Sequence, residues 1–146
     1  MRARFSTTDR AELAAIVFSD VSARAELEAL SWPVIDTQLR GRVEQSMADV
    51  VVLDMAVLAQ GDLGKGLYEA VVTVEAPEQI RLTRLVGRGM RHDDARARMA
   101  AQVSEARRRE LADFVVDNGA GIEDLELATQ RLWTDLTARR GAAGFA

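Results

Sequence analysis

Apolar residues recur at helical spacing from Asp9 to about Met47, and that spacing predicts three helices. The first opens at Asp9-x-x-Glu12, a capping-box pattern in which polar side chains take up free backbone N–H groups. It turns Leu13, Ile16 and Val17 inward. Asp20 is placed to cap the second, with Leu27, Leu30 and Trp32 on or near its inner side. Pro33 suits the first turn of the third, where its missing N–H is not needed, and that helix runs through Ile35, Leu39 and Val43. The period then breaks. Val50-Val-Val-Leu53 is a continuous β-branched run followed by Asp54, the signature of a strand buried in a parallel sheet. Val71–Val74 and Phe114–Val116 are two more such runs. Between them lie a helix starting at Pro77 with Ile80, Leu82, Leu85 and Val86, and another capped by Asp93 or Asp94 and running to Val103. A last amphipathic helix, Ile122 to Arg139, carries Leu125, Leu127, Leu132 and Leu136 as core, and residues 141–146 form a small-residue tail that frays.

Strands alternating with helices predict an α/β fold: a parallel sheet of about three strands flanked by helices, in one domain spanning residues 1–146. Apolar residues are 48% and charged residues 29% of the chain, a globular balance. With no cysteine, thiolate chemistry and disulfides are excluded, and the single histidine, His92, argues against a histidine-built metal site or triad. No apolar run approaches the roughly 18 residues of a membrane span, and the N-terminus has no apolar stretch of a secretory signal. A cytoplasmic protein without membrane contact is expected.

Charge is distributed unevenly. Nine arginines and only three carboxylates (Asp93, Asp94, Glu105) fall between residues 81 and 109, in a chain of net charge -4. A guanidinium offers a planar fork of donors matched to phosphate oxygens. The same residues also fit a solvated helical face. A phosphate loop needs Gly-x-x-x-x-Gly-Lys-Ser/Thr, whose backbone N–H groups cradle the phosphates. Lys65 is the only lysine, so one position decides. It is preceded by Gly64, but Ala59 stands where the first glycine belongs and Gly66 where the hydroxyl belongs. Residues 60–66 therefore read as a turn. A nucleic-acid partner is disfavoured by the acidic net charge and by 5% aromatic content.

Single residues leave two readings each. Asp54, ending a strand, fits either a magnesium ligand or a turn carboxylate. Arg88, after an amphipathic helix, fits either a lid arginine or a solvated helix end. Of Arg107-Arg-Arg109, one or two at most can face a ligand. Asn118, in Asp117-Asn-Gly119 beyond the third strand, lies where ligands of open α/β sheets gather, yet Asn-Gly is also a turn sequence.

Taken in order, these segments resemble the dephospho-CoA kinase family. The likeness covers about Thr8 to Arg139. It is carried by Asp9–Asp20, Leu27–Ile35, Val51–Leu58, Glu75–Leu85 with the turn after it, Ala100–Gln102 and Ala112–Asn118. The resemblance implies a phosphate-loop kinase fold with a helical acceptor region over residues 8–49. Core strands, an arginine-rich lid and a C-terminal helix would occupy residues 50–140. It implies transfer of the γ-phosphoryl of ATP, with Mg2+, to the ribose 3′-hydroxyl of dephospho-CoA, in coenzyme A biosynthesis. Arg88 and Arg108 would face phosphates, Asn118 would lie near the adenine, and Trp32, Pro33 and Leu58 would belong to the acceptor region.

Departures from the family pattern accompany the likeness. Trp32-Pro33 stands for His-Pro, Ala56-Val-Leu58 for Pro-Leu-Leu, Gln60 for an acidic residue and Glu105 for an arginine. The family's first βα unit, with its phosphate loop and presumed base, is not among these residues. The expectation is a dephospho-CoA kinase-like chain that is incomplete or inactive alone. The alternative is a non-catalytic relative that binds a ligand, self-associates or serves a complete kinase as partner.

Overall fold

A computed structural model describes residues 5–56 and 61–142. The chain divides into two compact units, residues 1–68 and 69–146.

The first unit is helical. α1 (Arg10–Ser19) starts at Asp9, whose carboxylate accepts from the N–H groups of Ala11 and Glu12. α2 (Val21–Glu44) starts at Asp20, which accepts from Ser22 and Ala23. Asp20 also closes α1, donating its own N–H to the Ile16 carbonyl. Phe5, Leu13 and Ala23 form the buried core, with Ile16 and Leu27 packed against them.

Two expectations are corrected here. The second and third helices are one continuous helix of 24 residues, with Pro33 inside it. A proline there removes the donor to residue 29. Ala29 and Pro33 are both exposed, so water can serve the freed carbonyl. Leu30 and Ile35, expected inside, are 49% and 40% exposed.

A third correction concerns Val50–Leu53, which forms no strand. Val52 is 85% exposed, and no neighbouring strand pairs with the run among the described residues. β-branched residues favour a pleated, half-buried surface, but a strand still needs a partner for its backbone groups. Residues 61–67 make the expected turn, closed by bonds from Lys65 N–H to Asp62 O and from Leu67 N–H to Gly64 O. Gly64 has φ of +72°, a conformation that favours glycine.

The second unit holds the sheet. β1 (Val72–Glu75) and β2 (Phe114–Asp117) pair in parallel, Val72 opposite Phe114 and Glu75 opposite Asp117. The described sheet therefore has two strands where about three were expected. A crossover of three helices joins them, as parallel strands require. These are α3 (Glu78–Gly87), α4 (His92–Ala100) and α5 (Glu105–Leu111). α3 buries Leu82, and α4 buries Ala95. Arg91, not Asp93 or Asp94, occupies the N-cap of α4; the two aspartates sit in its first turn, where carboxylates complement the helix dipole.

α6 (Ile122–Ala142) lies against β2. Leu125, Ala128, Leu132 and Leu136 make its half-buried stripe, and Leu127, expected with them, is 52% exposed. Asp113 ties the unit together: one carboxylate oxygen accepts from Val71 N–H at 2.9 Å and the other from Arg139 at 2.7 Å. Those two bonds hold its pKa below the usual aspartate range, the Val71 amide being the larger cause.

Candidate functional site

Both strands of the second unit end at the same edge, and polar side chains converge there. Glu75 closes β1 and is only 4% exposed. Arg108, on α5, meets it with one edge of its guanidinium: Nε donates to Oε1 at 2.8 Å and Nη2 to Oε2 at 2.6 Å. Nη1 donates to the Val103 carbonyl. The Arg108 hydrogen bonds, more than any other influence, hold the Glu75 carboxyl below the usual glutamate range, and Arg109 and Arg81 add to this at longer range. Arg81, on α3, reaches Gln102 Oε1 at 3.4 Å, and its buried Nε has no hydrogen-bond partner.

The segment after β2 is pinned from two sides. Asn118 N–H donates to the Glu75 carbonyl at 2.7 Å. Arg84, on α3, donates to the carbonyls of Asn118 at 2.7 Å and Ala120 at 3.2 Å. Gly119 packs so closely on Pro77 that an added Cβ would lie 2.8 Å from the proline Cδ. Its N–H donates to Asp117 Oδ1 at 2.7 Å. Beside this segment a groove of about 230 Å³ runs between Asp117, Ala120 and the α6 residues Asp124, Leu127, Ala128 and Arg131.

Of the arginines foreseen at phosphates, Arg108 is here and Arg88 is not. Arg88 is the exposed C-cap residue of α3. Ten helical residues separate it from Pro77, about 15 Å along the axis. Arg107 and Arg109 pair with Glu110 and Glu105, both at 2.7 Å, so the three consecutive arginines do face different ways. Glu105 is thus a local ion-pair partner.

Trp32 and Pro33, expected in an acceptor region, lie in the first unit. Trp32 and Pro33 line a groove of about 570 Å³ along α2, closed on one side by Gly61 and Leu63. The Trp32 ring sits directly on Gly61, where no Cβ would fit. Asp36 fixes this turn: it pairs with Arg40 at 2.6 Å and accepts from Gly64 N–H at 2.9 Å. Arg40 in turn donates to the Lys65 carbonyl at 3.0 Å. The Arg40 bond, then the Gly64 amide, keep the Asp36 carboxyl below its ordinary range. Leu58 lies outside the described residues.

Asp54, for which a magnesium ligand and a turn carboxylate were both open, is exposed and does not end a strand as expected. Among the described residues no three histidine, cysteine, aspartate or glutamate side chains gather as a metal would need. A single exposed carboxylate would supply at most one ligand to a magnesium ion whose other oxygens come from phosphates and water, and no step is derived through the ion.

Glu75, Arg81 and Arg84 were missed as site residues. The available signal for Glu75 was its position closing a β-branched run, at a strand end where ligands collect.

A family model described as dephospho-CoA kinase matches residues 4–124. The chain belongs to the dephospho-CoA kinase family. The dephospho-CoA kinase of Frankia casuarinae is 44% identical over 135 residues, spanning 92% of this chain and 58% of the relative. That of Streptomyces avermitilis is 41% identical over 138 residues, spanning 93% of this chain and 67% of the relative. The chain thus spans about three fifths to two thirds of the length of these two dephospho-CoA kinases. The crystal structure of TT1252 from Thermus thermophilus superposes with a TM-score of 0.74 at 30% identity, over 90% of this chain and 69% of that one. The α/β class with a parallel sheet flanked by helices, expected of a phosphate-loop kinase, is what the structure has. No helix among the described residues is long and apolar enough to cross a membrane.

Proposed function

We propose that this chain serves an ATP-dependent kinase that phosphorylates the ribose 3′-hydroxyl of dephospho-CoA, a step of coenzyme A biosynthesis. In that reaction the bond from the γ-phosphorus to the β–γ bridging oxygen breaks. A new bond forms to the 3′-oxygen, whose proton departs, and ADP and CoA leave. Phosphoryl transfer of this kind depends on positioning and on neutralising charge over the phosphate oxygens. Arg108 supplies fixed N–H donors for that charge, and Arg88, exposed at the end of α3, is read as a second cation for it. Asn118, held by its backbone at the strand end, offers its side-chain amide to the adenine. Trp32 and Pro33, with the groove beside them, form part of the acceptor region. ATP is the phosphoryl donor in this reading and Mg2+ its counter-ion, carried on the nucleotide.

The observation that carries the reading is the family match over residues 4–124, together with Arg108 and Asn118 both hydrogen-bonded to Glu75 at the carboxyl end of a parallel sheet. No observation of its own favours the alternative of a non-catalytic relative, a self-associating form or a partner for a complete kinase.

The test is titration calorimetry of the 146-residue chain with ATP and with dephospho-CoA, beside a chromatographic assay for CoA. Saturable binding of at least one ligand is expected. Transfer should stay at the no-protein level, because these residues hold no Gly-x-x-x-x-Gly-Lys-Ser/Thr cradle. Binding of neither ligand would refute the reading. CoA formation above the control would refute the requirement for a cradle.

A further inference from the structure

We propose that Glu75 is a positioning residue for phosphoryl transfer, holding the Arg108 guanidinium by one edge so that its remaining N–H groups face the polyphosphate of a nucleoside triphosphate. The inference rests on the reading of Arg108 as a phosphate-facing residue.

The geometry leaves little choice of donors. A guanidinium carries five N–H groups in a rigid plane. Glu75 takes two of Arg108's and the Val103 carbonyl a third. One N–H on each Nη is left over. Because the group is planar, fixing the Nε–Nη2 edge against Glu75 fixes the direction of those two.

Burial decides whether a phosphate would add to this pair or displace it. The Arg108 side chain is 20% exposed and Glu75 4%. Releasing Glu75 would strand a buried carboxylate without a partner, which is far costlier than breaking a surface pair. The carboxylate therefore stays, and the ligand meets Arg108 by the uncommitted N–H groups.

Glu75 does not cancel the local charge. Arg81 acts on the same carboxylate from α3, and its buried Nε has no partner. Arg109 is answered separately by Glu105. With Asp117 opposite Glu75 and Arg84 bonded to the segment beyond it, two carboxylates stand beside three guanidiniums, which leaves a net cation at the strand end and suits an anion.

The experiment is 15N NMR of the arginine Nε–H groups in the full chain, titrated with ATP, with Arg108 assigned through its loss in Arg108→Ala. The wild-type Arg108 Nε–H should exchange slowly and remain protected at saturating ATP. Glu75→Gln should weaken ATP binding about tenfold, as expected for loss of a charge-assisted fork, while Glu75→Asp stays within about threefold of wild type. If ATP abolishes protection of the Nε–H, phosphate displaces Glu75 and the inference fails. If Arg108→Ala weakens binding and Glu75→Gln does not, the inference also fails, while the reading of Arg108 stands. If Arg108→Ala binds as wild type does, or wild type shows no ATP-dependent shifts, both fall. Should Glu75→Gln not fold, the wild-type Nε–H signal and Glu75→Asp decide in the same way.

Discussion

Replacing Glu75 with alanine leaves the Arg108 fork without its carboxylate, and the cost can be bracketed from burial. Removing one partner of a buried ion pair costs about 3–5 kcal/mol. Arg108 keeps 20% exposure and its bond to the Val103 carbonyl, so water can restore part of the loss; Glu75→Ala should cost about 2–3 kcal/mol. The reverse change, Arg108→Ala, strands a carboxylate that is 4% exposed and should cost about 3–5 kcal/mol. The double variant loses the pair without stranding either member, so the two costs should not add, and a coupling of about 2 kcal/mol is expected.

Urea unfolding measures this. The two tryptophans lie one in each unit, Trp32 on α2 and Trp133 on α6, so a Trp32→Phe background leaves Trp133 to report on the unit that holds the pair. With a slope of about 1–3 kcal/mol per molar urea, Glu75→Ala should lower the midpoint by roughly 0.7–3 M.

Acid supplies an independent check. The folded-state pKa of Glu75 is depressed, so the pair's contribution is complete above the ordinary value of 4.5 and is lost as pH falls through the folded value. Wild type should therefore lose stability more steeply below that pH than Glu75→Gln. Additive single-variant costs, to within about 0.5 kcal/mol, would refute the argument from burial, as would identical acid profiles.

Two further outcomes follow from close contacts. Gly119→Ala places a Cβ 2.8 Å from Pro77 Cδ and 2.9 Å from Asp117 Oδ1, and a proline ring cannot swing aside. It should destabilise by about 1–3 kcal/mol in thermal melts, and an unchanged melting temperature would show that the strand-end segment shifts freely. Asp36→Asn removes the carboxylate that holds Arg40 and the Gly64 amide, so hydrogen exchange across residues 61–67 should quicken while α2 stays helical. Because the Asp36 pKa is depressed, wild type should show the same loosening as pH falls from its ordinary 3.8 through the folded value. Exchange corrected for its intrinsic pH dependence that does not respond in either case would count against the role of Asp36.

Local chemistry made much of the fold legible. Asp9 and Asp20 cap the helices their spacing marks, and the β-branched runs at Val71–Val74 and Phe114–Val116 are the strands to within a residue. Val50–Leu53 has the same composition and is no strand, because composition shows what a pleated surface favours and not whether a neighbour is present. Pro33 marked a helix start by the usual rule, yet the helix continues through it where both Pro33 and Ala29 face water. Asn118 was marked by its place beyond a strand, and Arg108 was singled out from three consecutive arginines through a resemblance. The group that links them, Glu75, is bonded to a side chain 33 residues away, and no local periodicity encodes such a pair. Arg84 was hidden for the same reason, since its partners Asn118 and Ala120 lie 34 and 36 residues on.

Asp20 belongs to two helices at once, ending α1 with its backbone N–H and starting α2 with its carboxylate. No linker separates the helices, so the angle between them is written in the φ and ψ of one residue, -133° and 111°. Inserting a single residue beside it would turn one helix by about 100° about its axis relative to the other. Leu13 and Ala23 would then no longer face the same core. The length of this corner is therefore a tighter constraint on the unit than the identity of the side chains around it.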